Sequence, residues 1–128
     1  MTQKTAADGG VVASGQKQRA LTYVQEAVDE INRRREARAW RGEARGWRDD
    51  HIVVREHEVD GYLVIEITTS RQNQQHWQLL LCDDGLACER ATTIALNLRD
   101  GWFSWLWPDE ADVLAAAVDL VRRVYSRA

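Results

Sequence analysis

The chain contains one phenylalanine, one proline and two cysteines, and no apolar run near the roughly 18 residues that a bilayer-spanning helix needs. That last shortage argues against a transmembrane segment. The first thirteen residues, MTQKTAADGGVVA, are too polar for a secretory signal and lack an Arg-rich amphipathic pattern. A cytoplasmic location is the resulting expectation. The two cysteines are Cys82 and Cys88. A two-residue turn at Asp84-Gly85 sets Cys82 opposite Ala87 and Cys88 opposite Leu81, on opposite faces of a ladder. Two reduced thiols are therefore expected rather than a bridge.

Reactive constellations are equally scarce. His51, His57 and His76 form no HxxH, HExxH or HxxxH arrangement, and neither cysteine sits in a CxxC. His51 and His57 can face one side of a strand, but about 20 Å apart, too far to share a metal. The sequence has no GxSxG and no glycine-rich phosphate loop, and Gly9-Gly10 lies in the expected tail. Paired carboxylates among Glu56, Glu58 and Glu66 must be desolvated together before they can do acid–base work. Asp49-Asp50 and Asp83-Asp84 fit turn chemistry. No catalytic residue, metal or cofactor is expected, and the balance leans away from an enzyme.

What is present is an ordinary globular composition, 45% apolar and 29% charged, in 128 residues. That length suits one domain with one core. Six tryptophans against a single phenylalanine is the unusual feature. Rings of that size either dominate a core or mark a contact surface.

The net charge of −3 is unevenly spread: segment 33–48 holds seven arginines and two glutamates, a local +5 that leaves −8 for the rest. Within it Arg34, Arg38, Arg41, Arg45 and Arg48 accompany Trp40 and Trp47. Guanidinium and indole together suit phosphate contact and base stacking. They suit protein hot spots equally. A solvated helix end whose arginines pair with acidic residues elsewhere is the plain alternative.

Residues 1–13 read as a disordered tail and 14–128 as a single α+β domain. Ser14 is a candidate N-cap for a helix over about 16–38, with Leu21, Val24, Val28 and Ile31 at helical spacing. Gly42 and Gly46 then break the pattern. Three Asp-Gly pairs follow, at 60–61, 84–85 and 100–101, each between apolar runs. Asp-Gly favours the positive φ of tight hairpin turns. The strands expected are about 51–58, 62–69, 76–82, 86–98 and 102–107.

A two-residue loop at Asp100-Gly101 pairs Leu98 with Phe103, Leu96 with Trp105 and Ile94 with Trp107 on one apolar face. Trp102 falls on the opposite face with Arg99, where it can stack on that arginine or meet a partner. The first hairpin allows two registers. A two-residue loop at Asp60-Gly61 sets Arg55 opposite Glu66 and places Glu56 and Glu58 on the face of Leu63, Ile65 and Ile67. A three-residue loop with a bulge places His57 there instead. Pro108 ends the last run, and Asp109 with Asp112 resembles a capping box for a helix over about 109–126 carrying Leu114, Val118, Val121 and Tyr125.

The expected fold is a five- to six-stranded antiparallel meander bracketed by N- and C-terminal helices packed on one face. The strand Trp77-Gln78-Leu79-Leu80-Leu81-Cys82 is apolar on both faces, so its second face needs cover from this chain or another subunit. The leading functional expectation is a non-catalytic protein-interaction domain of adaptor, inhibitor, immunity or chaperone type, forming a homodimer. The alternatives are nucleic-acid binding through segment 33–48, and a small-ligand binder or enzyme with a pocket between sheet and helices.

Overall fold

The computed structural model describes residues 8–42, 51–60, 62–69, 76–81 and 86–125. In chain order these form α1 (Asp8–Trp40), β1 (Ile52–Val59), β2 (Tyr62–Thr69), β3 (His76–Leu81), α2 (Leu86–Arg99) and α3 (Pro108–Tyr125). The strands make one antiparallel sheet in the order β1-β2-β3. The expected meander of five to six strands is not what forms. Residues 86–98 are helical, and 102–107 form an irregular turn between two helices.

The reason lies in two competing periods. Ile94, Leu96 and Leu98 alternate as a strand would, but Ala91, Ala95 and Leu98 recur at helical spacing and are the residues fully buried. Leu96, which completes the apparent strand face, is 57% exposed. Alanine, leucine, glutamate and arginine in this stretch also favour a helix intrinsically. The turn cannot be a strand with one buried face, because the adjacent Trp105 and Leu106 are both buried.

Asp100-Gly101 is accordingly a helix stop rather than a hairpin. Trp102 N–H donates to Asn97 C=O at 3.1 Å, and Gly101 N–H to Leu98 C=O at 3.1 Å. Gly101 has φ +79°. This is a Schellman motif, with glycine where the backbone must turn left-handed.

At Asp60-Gly61 the hairpin does form. Val59 pairs with Tyr62, which leaves a two-residue loop, and Asp60 has φ +53° as a tight primed turn demands. This selects the register with Arg55 opposite Glu66, Glu56 opposite Ile65 and Glu58 opposite Leu63. Asp84-Gly85 lies outside the described residues, as do the side chains of 76–82 that suggested a second covered face.

One core joins the layers. Ala20, Val24, Ala27, Val28 and Ile31 of α1, Leu63, Ile65 and Ile67 of β2, and Leu114, Val118 and Val121 of α3 belong to a single buried cluster. Each fully buried valine, isoleucine or leucine contributes about 1.5–3 kcal/mol. α1 lies against β1, α2 against β3, and α3 packs chiefly on α1 and α2. The expected packing of both terminal helices on one face of the sheet is therefore not what forms: α1 lies against the sheet, and α3 packs on the other helices. α1 starts at Asp8, upstream of the expected cap at Ser14 and within the stretch expected to be a tail.

Candidate functional site

The arginine-rich stretch belongs mostly to the last turns of α1, and it is turned toward the first turn of α3. Arg34 donates from Nε to Glu30 Oε2 at 2.8 Å and from Nη1 to Asp109 Oδ2 at 2.9 Å. Arg38 donates to Asp109 Oδ1 at 2.8 Å and to Glu110 Oε2 at 3.2 Å, with its guanidinium 4.9 Å from the centre of the Trp107 ring. Arg33 closes the set on Glu30. The carboxylates of Asp109 and Glu110 also suit the positive end of the α3 dipole.

These contacts favour the ionised forms of Asp109 and Glu30. Burial pushes the Asp109 carboxyl up, but hydrogen bonds from Arg38 and Arg34 outweigh it, and the net shift is below the ordinary value. Glu30 is lowered by hydrogen bonds from Arg34 and then Arg33. Arg34 is raised by its bonds to Glu30 and Asp109. Arg34 and Arg38 are therefore clamps between two helices, with their charge already met by acids of the same chain.

Two members of this cluster carry more weight than those the sequence singled out. Arg35 and Glu110 are almost wholly buried, 1% and 0% exposed. Arg35 grips Glu110 with two bonds, Nε to Oε2 at 3.0 Å and Nη2 to Oε1 at 2.7 Å, and donates to the Trp105 carbonyl at 2.7 Å. Glu110 Oε1 also accepts the Trp107 backbone N–H at 2.9 Å. That bond is half of a capping box, with Trp107 at the N-cap, Pro108 at N1 and Glu110 at N3. The cap is thus at Trp107 with Glu110 reaching back, where Asp109 and Asp112 were expected. A signal was available, since Arg35 falls four residues after Ile31 and Glu110 four before Leu114, each on its helix's buried stripe.

The remaining expected site residues are not drawn together. Trp40 is 90% exposed at the end of α1, and Arg41 beside it is exposed. Arg45, Trp47 and Arg48 lie outside the described residues. Trp102 is 71% exposed, but as a cap residue and not on the polar face of a strand, and Arg99, on which it could have stacked, pairs with Asp119 at 2.8 Å. The Schellman turn ties the Trp102 backbone to Asn97, the neighbour of Leu96. Two large apolar side chains thereby stand in water at one end of α2.

A second feature escaped the sequence altogether. The side-chain amide of Asn32 on α1 accepts from Ile52 N–H at 2.8 Å and donates to Ile52 C=O at 3.0 Å. It occupies the place a neighbouring strand would take. β1 is at the edge of the sheet, and Asn32 plugs that edge at its first residue.

Next to the other end of β1, a cleft of about 250 Å³ is lined by Lys17, Gln18, Leu21, Glu56, Glu58 and Leu63. It is the nearest counterpart of the pocket expected between sheet and helices. His57 bonds Glu66 and His51 bonds Glu36, each at 3.0 Å, and among the described residues no three potential ligands converge on a metal position. No described helix is long and apolar enough to cross a membrane.

No family model, curated protein or solved structure matches this chain.

Proposed function

We propose that the chain is a non-catalytic protein-interaction domain of the adaptor, inhibitor, immunity or chaperone kind, acting in the cytoplasm through a surface centred on Trp102 and Leu96. The observation that carries this is their exposure, 71% and 57%, at a helix end closed by a Schellman turn. The turn ties the Trp102 backbone to α2. Exposed tryptophan at a helix cap is the kind of anchor that dominates binding energy at interfaces. A second copy of the chain is part of the same reading.

The test compares the native chain with the variant Trp102→Ser/Leu96→Ser, in sedimentation and in capture of partners from its own host. The expected result is loss of self-association and of captured partners, with the folded state intact by circular dichroism. A strict monomer at all concentrations removes the dimer. Identical captured proteins from both forms remove this surface from the reading.

Nucleic-acid binding is the second reading, and the pair Trp40 and Arg41, exposed at the end of α1, is what favours it. Arg34 and Arg38 subtract from it, because their charge is spent on Asp109, Glu110 and Glu30. Arg41→Glu with Arg48→Glu then abolishes salt-sensitive binding to DNA or RNA. The reading fails if the unaltered chain binds neither at low salt.

A further inference from the structure

We infer that the outer edge of β1 is a docking site for an extended segment of another protein, one carrying lysine or arginine at alternate positions. The inference rests on the protein-interaction reading but uses a surface separate from Trp102 and Leu96.

The argument begins with Asn32. It bonds both the N–H and the C=O of Ile52, so these groups point away from β2. Backbone direction repeats every second residue in a strand. The N–H and C=O of Val54, Glu56 and Glu58 therefore point the same way. Beyond Ile52, no backbone bond among the described residues meets this edge. Among the described residues, three consecutive docking positions for another strand lie open, with the far limit set by the Asn32 plug.

Direction and side chain are linked. The residues whose backbone faces outward also carry Val54, Glu56 and Glu58 onto the face of Leu63, Ile65 and Ile67. Val54 is half-buried against the core, while both glutamates are exposed and form no ion pair among the described residues. Residues directly opposite in an antiparallel pair have their Cβ atoms about 4.5–5.5 Å apart. An incoming strand thus sets one side chain against Glu56 and another, two residues away, against Glu58.

Charge decides what that strand can be. A second β1 pairing antiparallel about Glu56 sets this carboxylate against its own copy. A shift by two residues sets Glu56 against Glu58. Like charges directly opposite are destabilising, so the glutamates disfavour these two registers of the self-pairing to which a bare edge is prone. The same pair favours a strand with cations at positions i and i+2. The cleft fits such side chains: Leu21 and Leu63 can receive an aliphatic stem, and Glu56 and Glu58, two carboxylates against the single cation Lys17 in the same lining, the charged head. This is strand addition to a sheet edge, with main-chain bonds giving affinity and alternate side chains giving selectivity.

The probe is a capped peptide of alternating threonine and lysine, added to the full chain at low salt, with one of alternating threonine and glutamate as control. Hydrogen exchange is followed at each β1 amide. The lysine peptide is expected to protect the amides of Val54, Glu56 and Glu58, leave those of Arg55 and His57 unchanged, and bind at least tenfold more tightly than the glutamate peptide. N-methylation of its edge-facing amides should weaken binding at least tenfold, which mere charge adhesion does not predict. Glu56→Lys with Glu58→Lys should reverse the peptide preference.

The inference is overturned by no protection at millimolar peptide, by protection spread over unrelated amides, or by indifference to N-methylation. It is also overturned if the same three amides become protected with rising protein concentration alone, since a second copy is then the occupant. Trp102→Ser/Leu96→Ser should leave peptide binding unchanged, so failure of one surface is visible apart from the other.

Discussion

Arg35 of α1 and Glu110 of α3 meet in a two-bond ion pair with almost no exposure to water, 75 positions apart in the chain. The pair ties the middle of the core to the start of the last helix. The pair also bonds the Trp105 carbonyl, the Trp107 N–H and Arg38. Such satisfaction is what lets a buried ion pair survive its desolvation cost.

Removing one partner leaves an uncompensated charge in the core. Arg35→Met or Glu110→Leu alone should destabilise by about 3–5 kcal/mol, a large share of the about 5–15 kcal/mol typical of a domain. The double variant Arg35→Met/Glu110→Leu should recover most of that loss in urea unfolding. Equal or additive losses in the double variant would show that the pair acts through separate contacts.

Acid sensitivity should trace to Asp109. Its carboxyl is held below the ordinary value in the folded chain, so it contributes stability above the unfolded value, which is about 3.9 for aspartate. That contribution declines as pH falls from there through the lower folded value. Asp109→Asn should therefore cost stability at pH 7, with the gap to the parent closing in acid. A gap that stays constant down to pH 2 would place the effect in packing. Because Asp109 is partly exposed, high salt should also narrow it at neutral pH.

The Asn32 plug should be measurable by itself. Asn32→Ala removes two bonds to part-buried backbone groups and should cost about 1–2 kcal/mol. The amide of Ile52 should exchange markedly faster, with Ile65 and Ile67 little changed. Unchanged exchange at Ile52 would mean that water or another group replaces the amide.

Gly101 tests whether the segment from 86 to 107 turns as a helix stop. An L side chain in the left-handed region costs about 1–2 kcal/mol, so Gly101→Ala should lower Tm by a few degrees. The loss should appear as fraying at the end of α2, seen in the amides of Gly101 and Trp102. Gly42, also at positive φ but at an exposed helix end, should give a smaller effect.

The sequence by itself was enough for the two terminal helices, whose apolar stripes have only one periodic reading, and for the strands at 52–59 and 62–69 around a true Asp-Gly turn. It was not enough for 86–107. There Ile94, Leu96 and Leu98 satisfy a period of two while Ala91, Ala95 and Leu98 satisfy a helical one, and Asp-Gly serves a hairpin or a helix stop equally well. Only packing of Ala91 and Ala95 into the common core breaks that tie, and it moves Leu96 into solvent.

The candidate site divides in the same way. The possibility that arginines meet acids of the same chain was legible, because it depends on charge alone, whereas the place of Trp102 was read from a hairpin that does not form. Which acids, and which arginine is buried, required the approach of α3 to α1 across 75 positions of chain. That β1 is an edge strand among the described residues could not be read at all. An edge strand and a central strand differ only in what lies beside them, and that is a property of the assembled sheet and of Asn32 reaching it from another element. Periodicity determines which residues of a segment share a face; tertiary contact alone decides what that face, or that edge, is turned toward.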